Sequence, residues 1–259
     1  MDLQLRDNVV IVTGGTSGIG LATCERLLAE GAKVATCGRD RGRLEAMRAS
    51  HPVEDLLVHR CDVRNIEQVT TFVEATVDRF GRVDGLVNNA GQSRMKPLAE
   101  VDWSDWTDEL DLKFASVLHP LQAVLPQLRV SASAAVVNIN AVLARQPETH
   151  LITTSAARAG VLNLSKNLAT ELASDGIRVN SVLLGLIESG QWHRRHDAAD
   201  SDLEWDAWSA DLARSRGIPM GRVGKPEEVA DVVTFLLSPL AGYVTGSTID
   251  VAGGVARYV

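Results

Sequence analysis

Short apolar runs alternate with longer stretches of helical periodicity along nearly the whole chain. Val9–Thr13 is a β-rich apolar run, and after a glycine string residues 19–30 carry apolar side chains at helical spacing. Gly31 follows, suited to the left-handed turn that stops a helix. The same alternation predicts strands at 32–37, 55–60, Gly85–Asn88, 134–139, 177–183 and Thr248–Val251. Helices are predicted at 39–49, Ile66–Phe80, Trp103–Leu128, 153–174 and Pro226–Leu237. Gly81 ends the third helix, Pro120 predicts a bend in the fourth, and Pro226 suits a first helical turn. Strand–helix alternation of this kind calls for a single α/β domain over residues 1–259. Its expected form is a Rossmann-type doubly wound parallel sheet of about seven strands, with helices on both faces.

Residues 189–217 break the rhythm, with Trp192, His193, Arg194, Arg195, His196, Trp205 and Trp208 set among Asp and Ser. An insertion after the sixth strand is expected as a loop over the carboxyl ends of the strands, where open α/β sheets bind ligands. It reads as a lid, as packing against the body or a partner subunit, or as both.

Composition narrows the classes. The hydrophobic fraction of 45% and mean hydropathy near zero belong to an ordinary soluble globular protein. A net charge of −7 with no Lys/Arg-rich stripe argues against a nucleic-acid partner. No apolar run approaches the roughly 20 residues of a membrane span. The first residues show no basic region followed by an apolar stretch, so a cytoplasmic protein is expected. Cys24, Cys37 and Cys61 are odd in number and widely spaced, which predicts buried thiols and no metal site.

Thr13-Gly14-Gly15-Thr16-Ser17-Gly18-Ile19-Gly20 lies between an apolar strand and a helix. Glycine is needed where backbone turns sharply, approaches a pyrophosphate or lets helix pack on strand. The helix start adds free N–H groups and a positive dipole end for phosphates. Asp62-Val63 and Asn88-Asn89-Ala90-Gly91 fall at the carboxyl edge of the same sheet, where an adenosine would lie.

With these motifs the chain resembles the NAD(P)-dependent short-chain dehydrogenase/reductase family over essentially its whole length. Further matching pieces are Arg178-Val179-Asn180 leading into Gly185, Gly221-Arg222 with Pro226-Glu227-Glu228, Tyr243-Val244-Thr245-Gly246, and Gly253-Gly254. The resemblance implies cofactor contacts at Gly14, Thr16, Ser17, Gly18, Ile19, Gly20, Arg39, Asp62, Val63, Asn89, Ala90, Gly91, Arg158, Gly185 and Ile187. Where NAD-preferring members carry Asp at the end of strand two, this chain has Gly38, followed by Arg39. A guanidinium there suits a 2′-phosphate, so NADP(H) is favoured over NAD(H); Asp40 opposes this unless it caps the next helix. A homo-oligomer, dimer or tetramer, is also implied, although Ala252 stands where the family often has Asp.

The family works with an Asn, a Ser, and a Tyr followed by a Lys. Aligned on the motifs, these positions fall on Lys113, Ala141, Thr154 and Arg158, so all four differ. The chain's two tyrosines, Tyr243 and Tyr258, lie far from that position. A threonine hydroxyl is shorter and far less acidic than a phenol, and alanine offers no hydrogen bond. Arg158 retains donors for ribose hydroxyls. Lys113, close to Arg158, is expected to have a depressed pKa and to serve as proton donor or amine nucleophile. Equally open is a pair of cations that binds an anionic substrate, or a structural salt bridge from Lys113 to Glu148, Glu171 or Glu188. His150 is a further acid near the cleft mouth, or a surface loop histidine.

Three functions follow. The first is an NADP(H)-dependent oxidoreductase acting on an unidentified carbonyl or alcohol through a rebuilt proton-transfer set. The second is a redox-neutral enzyme using Lys113. The third is an inactive dinucleotide-binding protein, either a sensor or a pseudo-subunit in a hetero-oligomer with an active relative.

Overall fold

The computed structural model describes residues 2–51, 54–199 and 201–258. Seven strands form one fully parallel sheet: β1 (Val9–Thr13), β2 (Lys33–Gly38), β3 (Leu56–Arg60), β4 (Gly85–Asn88), β5 (Ala135–Ala141), β6 (Arg178–Leu184) and β7 (Thr248–Val251). Their order, β3-β2-β1-β4-β5-β6-β7, reverses direction between β1 and β4, the doubly wound arrangement predicted from the alternation.

Eight helices complete the described chain: α1 (Gly18–Ala29), α2 (Arg41–Ser50), α3 (Ile66–Phe80), α4 (Trp103–Leu128), α5 (Ile152–Glu171), α6 (Gly190–Asp197), α7 (Trp205–Ser215) and α8 (Pro226–Leu237). Strand residues alternate between two buried faces. Val10 and Val12 of β1 join Leu27, Val34, Val137, Val233 and Leu236 beneath α1 and α8. Ile11, between them, points to the opposite core with Phe72, Leu86, Val124, Val136 and Val179 beneath α3, α4 and α5.

Most predicted elements lie within a few residues of their observed bounds, and three differences have physical reasons. Asp40 does not begin α2: its carboxylate accepts the Arg43 N–H at 3.0 Å and caps the helix. The fifth helix stops at Glu171, because residues Leu172–Asp175 tighten into a 3-10 turn closed by Gly176 at φ 74°. The insertion at 189–217, described apart from residue 200, is helical in α6 and α7 where a loop was expected. Trp205 organises it: His193 stacks on its ring at 3.9 Å between centroids, and Trp208 stacks at 5.7 Å. Helix α4 runs on through Pro120.

Candidate active site

Two loops leave the sheet at its switch point and are bolted together. Thr13, at the end of β1, accepts the N–H of Asn89 at 3.0 Å and that of Ala90 at 3.1 Å, and its hydroxyl donates to the Val87 carbonyl. The Asn89 side chain returns the favour, donating to the carbonyls of Thr13 and Gly14 at 3.0 and 3.1 Å. This leaves no room for side chains inside the loop. A Cβ on Gly20 would run into the Gly14 carbonyl oxygen and come within 2.5 Å of Asn89 Nδ2, while one on Gly15 would strike Thr36 and Cys24. Gly18 differs: its φ is +53° and nothing lies within 4 Å of a Cβ placed there. Ser17 makes no side-chain cap to the start of α1, which leaves the first N–H groups of the helix without a side-chain partner, a fit for the pyrophosphate of a dinucleotide.

Around this cradle the expected contact residues fall into place unevenly. Thr16 lies over Gly38, 3.3 Å from where a Cβ would be. Arg39 is exposed and sits 3.8 Å from Asp62, which also pairs with Arg64. Arg43, which sequence reasoning missed, donates to Ser17 Oγ at 3.3 Å, so a second guanidinium flanks the loop. Its signal was available: it lies one turn into a helix that starts just after Arg39. Val63 is buried, with its carbonyl bonded to the His119 ring, while Gly91 stands exposed beside Lys113. Beyond β6, the Gly185 N–H is tied to Val251, and Ala252 Cα would lie 2.8 Å from a Cβ at Gly185. Ile187 is buried and bridges to Gly224.

The positions that the resemblance aligns with the family's working residues lie in and beside a buried ionic cluster. Lys113 on α4 is 6% exposed and donates to the Gln92 carbonyl. Its Nζ lies 3.4 Å from Glu109 Oε1, one helical turn earlier. Glu109 thus takes the place of the three partners considered: Glu148 instead holds His150 at 3.1 Å and Arg216 at 3.2 Å, Glu188 holds His193 at 2.7 Å, and Glu171 is exposed at the end of α5. The i, i+4 spacing of Glu109 and Lys113 is the signal in the sequence that could have found this pair. Thr154, wholly buried on α5, donates its hydroxyl to the same Glu109 oxygen at 2.8 Å. Arg158 is gripped by Asn140, whose side chain donates to the Arg158 carbonyl at 3.0 Å and accepts from Nη1 at 3.3 Å. Asn140 is a second residue missed from sequence. Ala141, which ends β5 beside it, contributes only a methyl group.

Electrostatics follow from burial. Removal from water pushes the Lys113 ammonium down to about 8, and the Arg158 charge adds to this, against the opposing pull of Glu109. The same desolvation pushes Arg158 down to about 10, opposed by Glu109, so it remains a fixed cation near neutrality. Of these two buried cations, Lys113 is the one brought near physiological pH. Two enclosed polar atoms of this cluster have no hydrogen-bond partner, Glu109 Oε2 and Arg158 Nε. The cysteines are free and buried, and burial pushes Cys24 up to about 12, the state of inert thiols. A groove of about 460 Å³ between α5 and β7, lined by Arg145 and Lys166 among others, contains none of the cluster residues.

Comparison with known proteins agrees with this architecture. A family profile described as enoyl-(acyl carrier protein) reductase matches residues 14–256. The 3-oxoacyl-[acyl-carrier-protein] reductase FabG of Vibrio cholerae is 33% identical over 98% of this chain and 99% of its own length. The apo structure of a short-chain oxidoreductase from Pseudomonas aeruginosa PAO1, described as containing an atypical catalytic center, is 51% identical. It superposes with a TM-score of 0.95 over 98% of this chain and 99% of that one. An NADPH-bound structure with the same description and organism gives 0.93 at 51% identity, covering 98% of both chains. L-sorbose reductase from Gluconobacter frateurii, complexed with NADPH and L-sorbose, is 30% identical with a TM-score of 0.94 and full coverage of both chains.

Proposed function

The chain belongs to the short-chain dehydrogenase/reductase family, and from that premise we propose that it is an NADP(H)-dependent oxidoreductase interconverting a carbonyl and an alcohol, with Lys113 carrying the proton. The observation that carries this reading is Lys113 itself: a buried ammonium beside a fixed cation, at the cleft edge next to Gly91, with its pKa brought to about 8. Support for NADP(H) comes from Arg39 and Arg43 beside Ser17, and from NADPH in two of the solved relatives.

In this reading the start of α1 and the glycine loop hold the pyrophosphate, Arg39 and Arg43 hold the 2′-phosphate, and Asp62, Val63 and Asn89–Gly91 border the adenosine. Arg158, Gly185 and Ile187 border the nicotinamide end. When bound, the cofactor supplies or accepts the hydride. The chain's own part is to orient and to move charge. Lys113 Nζ donates a proton to the nascent alkoxide oxygen in reduction and takes it back in oxidation. Arg158, locked by Asn140, keeps a positive charge next to that oxygen in both directions. Thr154 is occupied with Glu109 and moves no proton. Helices α6 and α7 form a lid over the carboxyl edge, pinned to the end of β6 by the His193–Glu188 pair.

A second reading, a dinucleotide-binding protein without turnover, draws on the methyl group of Ala141 and the occupied hydroxyl of Thr154. Titration with NADPH and NADH, followed by a carbonyl screen for NADPH oxidation in wild type and Lys113→Met, separates the two. NADPH-selective binding with turnover that Lys113→Met abolishes supports the enzyme. Tight binding without turnover on any carbonyl supports the binding protein.

A further inference from the structure

Glu109 lies outside every motif that carries the family resemblance, yet it is 2% exposed on the inner face of α4, where a carboxylate has no reason to be unless something holds it. Three observations meet there. Its Oε1 accepts the Thr154 hydroxyl at 2.8 Å. The same oxygen lies 3.4 Å from Lys113 Nζ. Its Oε2 is enclosed and unpartnered. Ordinary i, i+4 pairs sit on helix surfaces and are screened by water, whereas both members of this pair are buried.

We propose that Glu109 is a positioning residue of the site: its carboxylate gathers the Lys113 ammonium and the Thr154 hydroxyl into one enclosed cluster and sets how tightly Lys113 keeps its proton. The inference deepens the reading of Lys113 as the proton carrier and rests on it. Arg158 from α5 and Arg94 from the loop after β4 act on the same ammonium with the opposite sign. Arg94 is itself paired with Asp108 at 3.1 Å on the outer side of α4, and Asp111 faces outward to Arg64 at 4.0 Å. Strand β4 carries no charged residue, and the acidic residues of α3 (Glu67, Glu74 and Asp78) are exposed. Glu109 is thus the negative charge in contact with Lys113, and the one that offsets the two arginines.

Geometry also gives Thr154 a place in this device. By donating to Glu109 Oε1, its hydroxyl shares the oxygen that faces Lys113 and fixes the carboxylate's rotation about the helix. A hydroxyl at the usual proton-donor position is thereby spent on orienting an acid whose partner moves the proton.

The chain has five lysines, so Lys113 can be titrated directly in protein labelled with ¹³C,¹⁵N-lysine, with Lys113→Met identifying its signal. In Glu109→Gln the Lys113 midpoint is expected to fall by about one pH unit or more, a tenfold loss of proton affinity. A midpoint within about twofold of wild type in proton affinity overturns the proposal, even if the variant is less stable, because a purely structural Glu109 would move melting and leave the titration alone. Should Glu109→Gln fail to fold, Glu109→Asp keeps the charge but withdraws it by one methylene. A downward shift of the same sign then supports the proposal, and an unmoved midpoint overturns it. The readout needs no substrate, so it fails independently of the turnover test of Lys113→Met.

Discussion

Thr154 gives its hydroxyl hydrogen to Glu109 at 2.8 Å and exposes no surface. The side chain that the resemblance aligns with the family's proton donor therefore faces inward, to a carboxylate. Restoring a tyrosine there would place a phenol against Glu109 and Lys113, with no serine at Ala141 to work with.

Removal of the Lys113 charge should abolish turnover and leave NADPH affinity within about threefold, since the phosphate-holding loop is on another part of the sheet edge. Steady-state kinetics of Lys113→Met on any carbonyl that wild type reduces, with NADPH titration, checks both halves. The reduction rate of wild type should fall as pH rises through about 8, because the donor must be protonated. Unchanged turnover in the variant would end the proton-carrier assignment.

The same shift has a stability sign. Lys113 titrates near 8 when folded against an ordinary value of 10.5, so between those pH values the unfolded chain binds more protons and the wild type gains stability as pH rises. Below pH 8 the buried ammonium costs on the order of 3 kcal/mol relative to a neutral side chain. Lys113→Met should lose this rise in stability between pH 8 and 10.5, and at pH 7 the relief of the buried ammonium is opposed by Glu109 left without its cation. Urea unfolding of both proteins across this range measures it.

Cofactor selectivity should track the two guanidiniums that follow β2, Arg39 in the turn and Arg43 in the first turn of α2. Arg39→Ala and Arg43→Ala are each expected to weaken NADPH by about 1 kcal/mol, roughly fivefold, and to leave NADH nearly untouched. Equal losses for both cofactors in a fluorescence titration would remove these residues from the 2′-phosphate.

Two glycines in one loop should respond oppositely to the same change. Gly20→Ala drives a methyl into the Gly14 carbonyl and Asn89, and should cost about 1–3 kcal/mol along with the NADPH site. Gly18→Ala meets no atom and pays only for its left-handed φ, about 1 kcal/mol. Denaturation midpoints alongside cofactor titration distinguish them.

The lid should be separable from the cradle. Glu188→Ala frees α6 from the end of β6 by removing the 2.7 Å contact to His193. Substrate KM should rise about threefold while NADPH affinity holds, as expected for a half-exposed pair. A matching loss of NADPH affinity would mean that the insertion serves the cofactor instead.

What could be read from sequence was whatever short-range physics dictates. Apolar alternation located all seven strands, because residues such as Val10, Ile11 and Val12 must fill two cores at once. Gly14–Gly20 could be read because a tight turn tolerates few residue types. The ionic cluster was less accessible. Lys113, Thr154 and Arg158 were found by their positions relative to family motifs, but Glu109 occupies no motif, Asn140 was passed over next to Ala141, and both gain meaning only when α4, α5 and β5 pack together. The partner of Lys113 was sought far along the chain when it lay one turn away. Helices α6 and α7 escaped because their polar composition hides the periodicity that Trp205 and Trp208 complete only against His193 and His196.

Four hydrogen bonds join Thr13 and Gly14 to Asn89 and Ala90 and thereby weld the exits of β1 and β4 into one body. A welded floor cannot follow a ligand. One bank of the cleft is a fixed template on which a dinucleotide lands with little ordering left to do, and adaptation to different substrates is delegated to the opposite bank. Variation in α6 and α7 can then alter what the protein accepts without disturbing the seat of its cofactor.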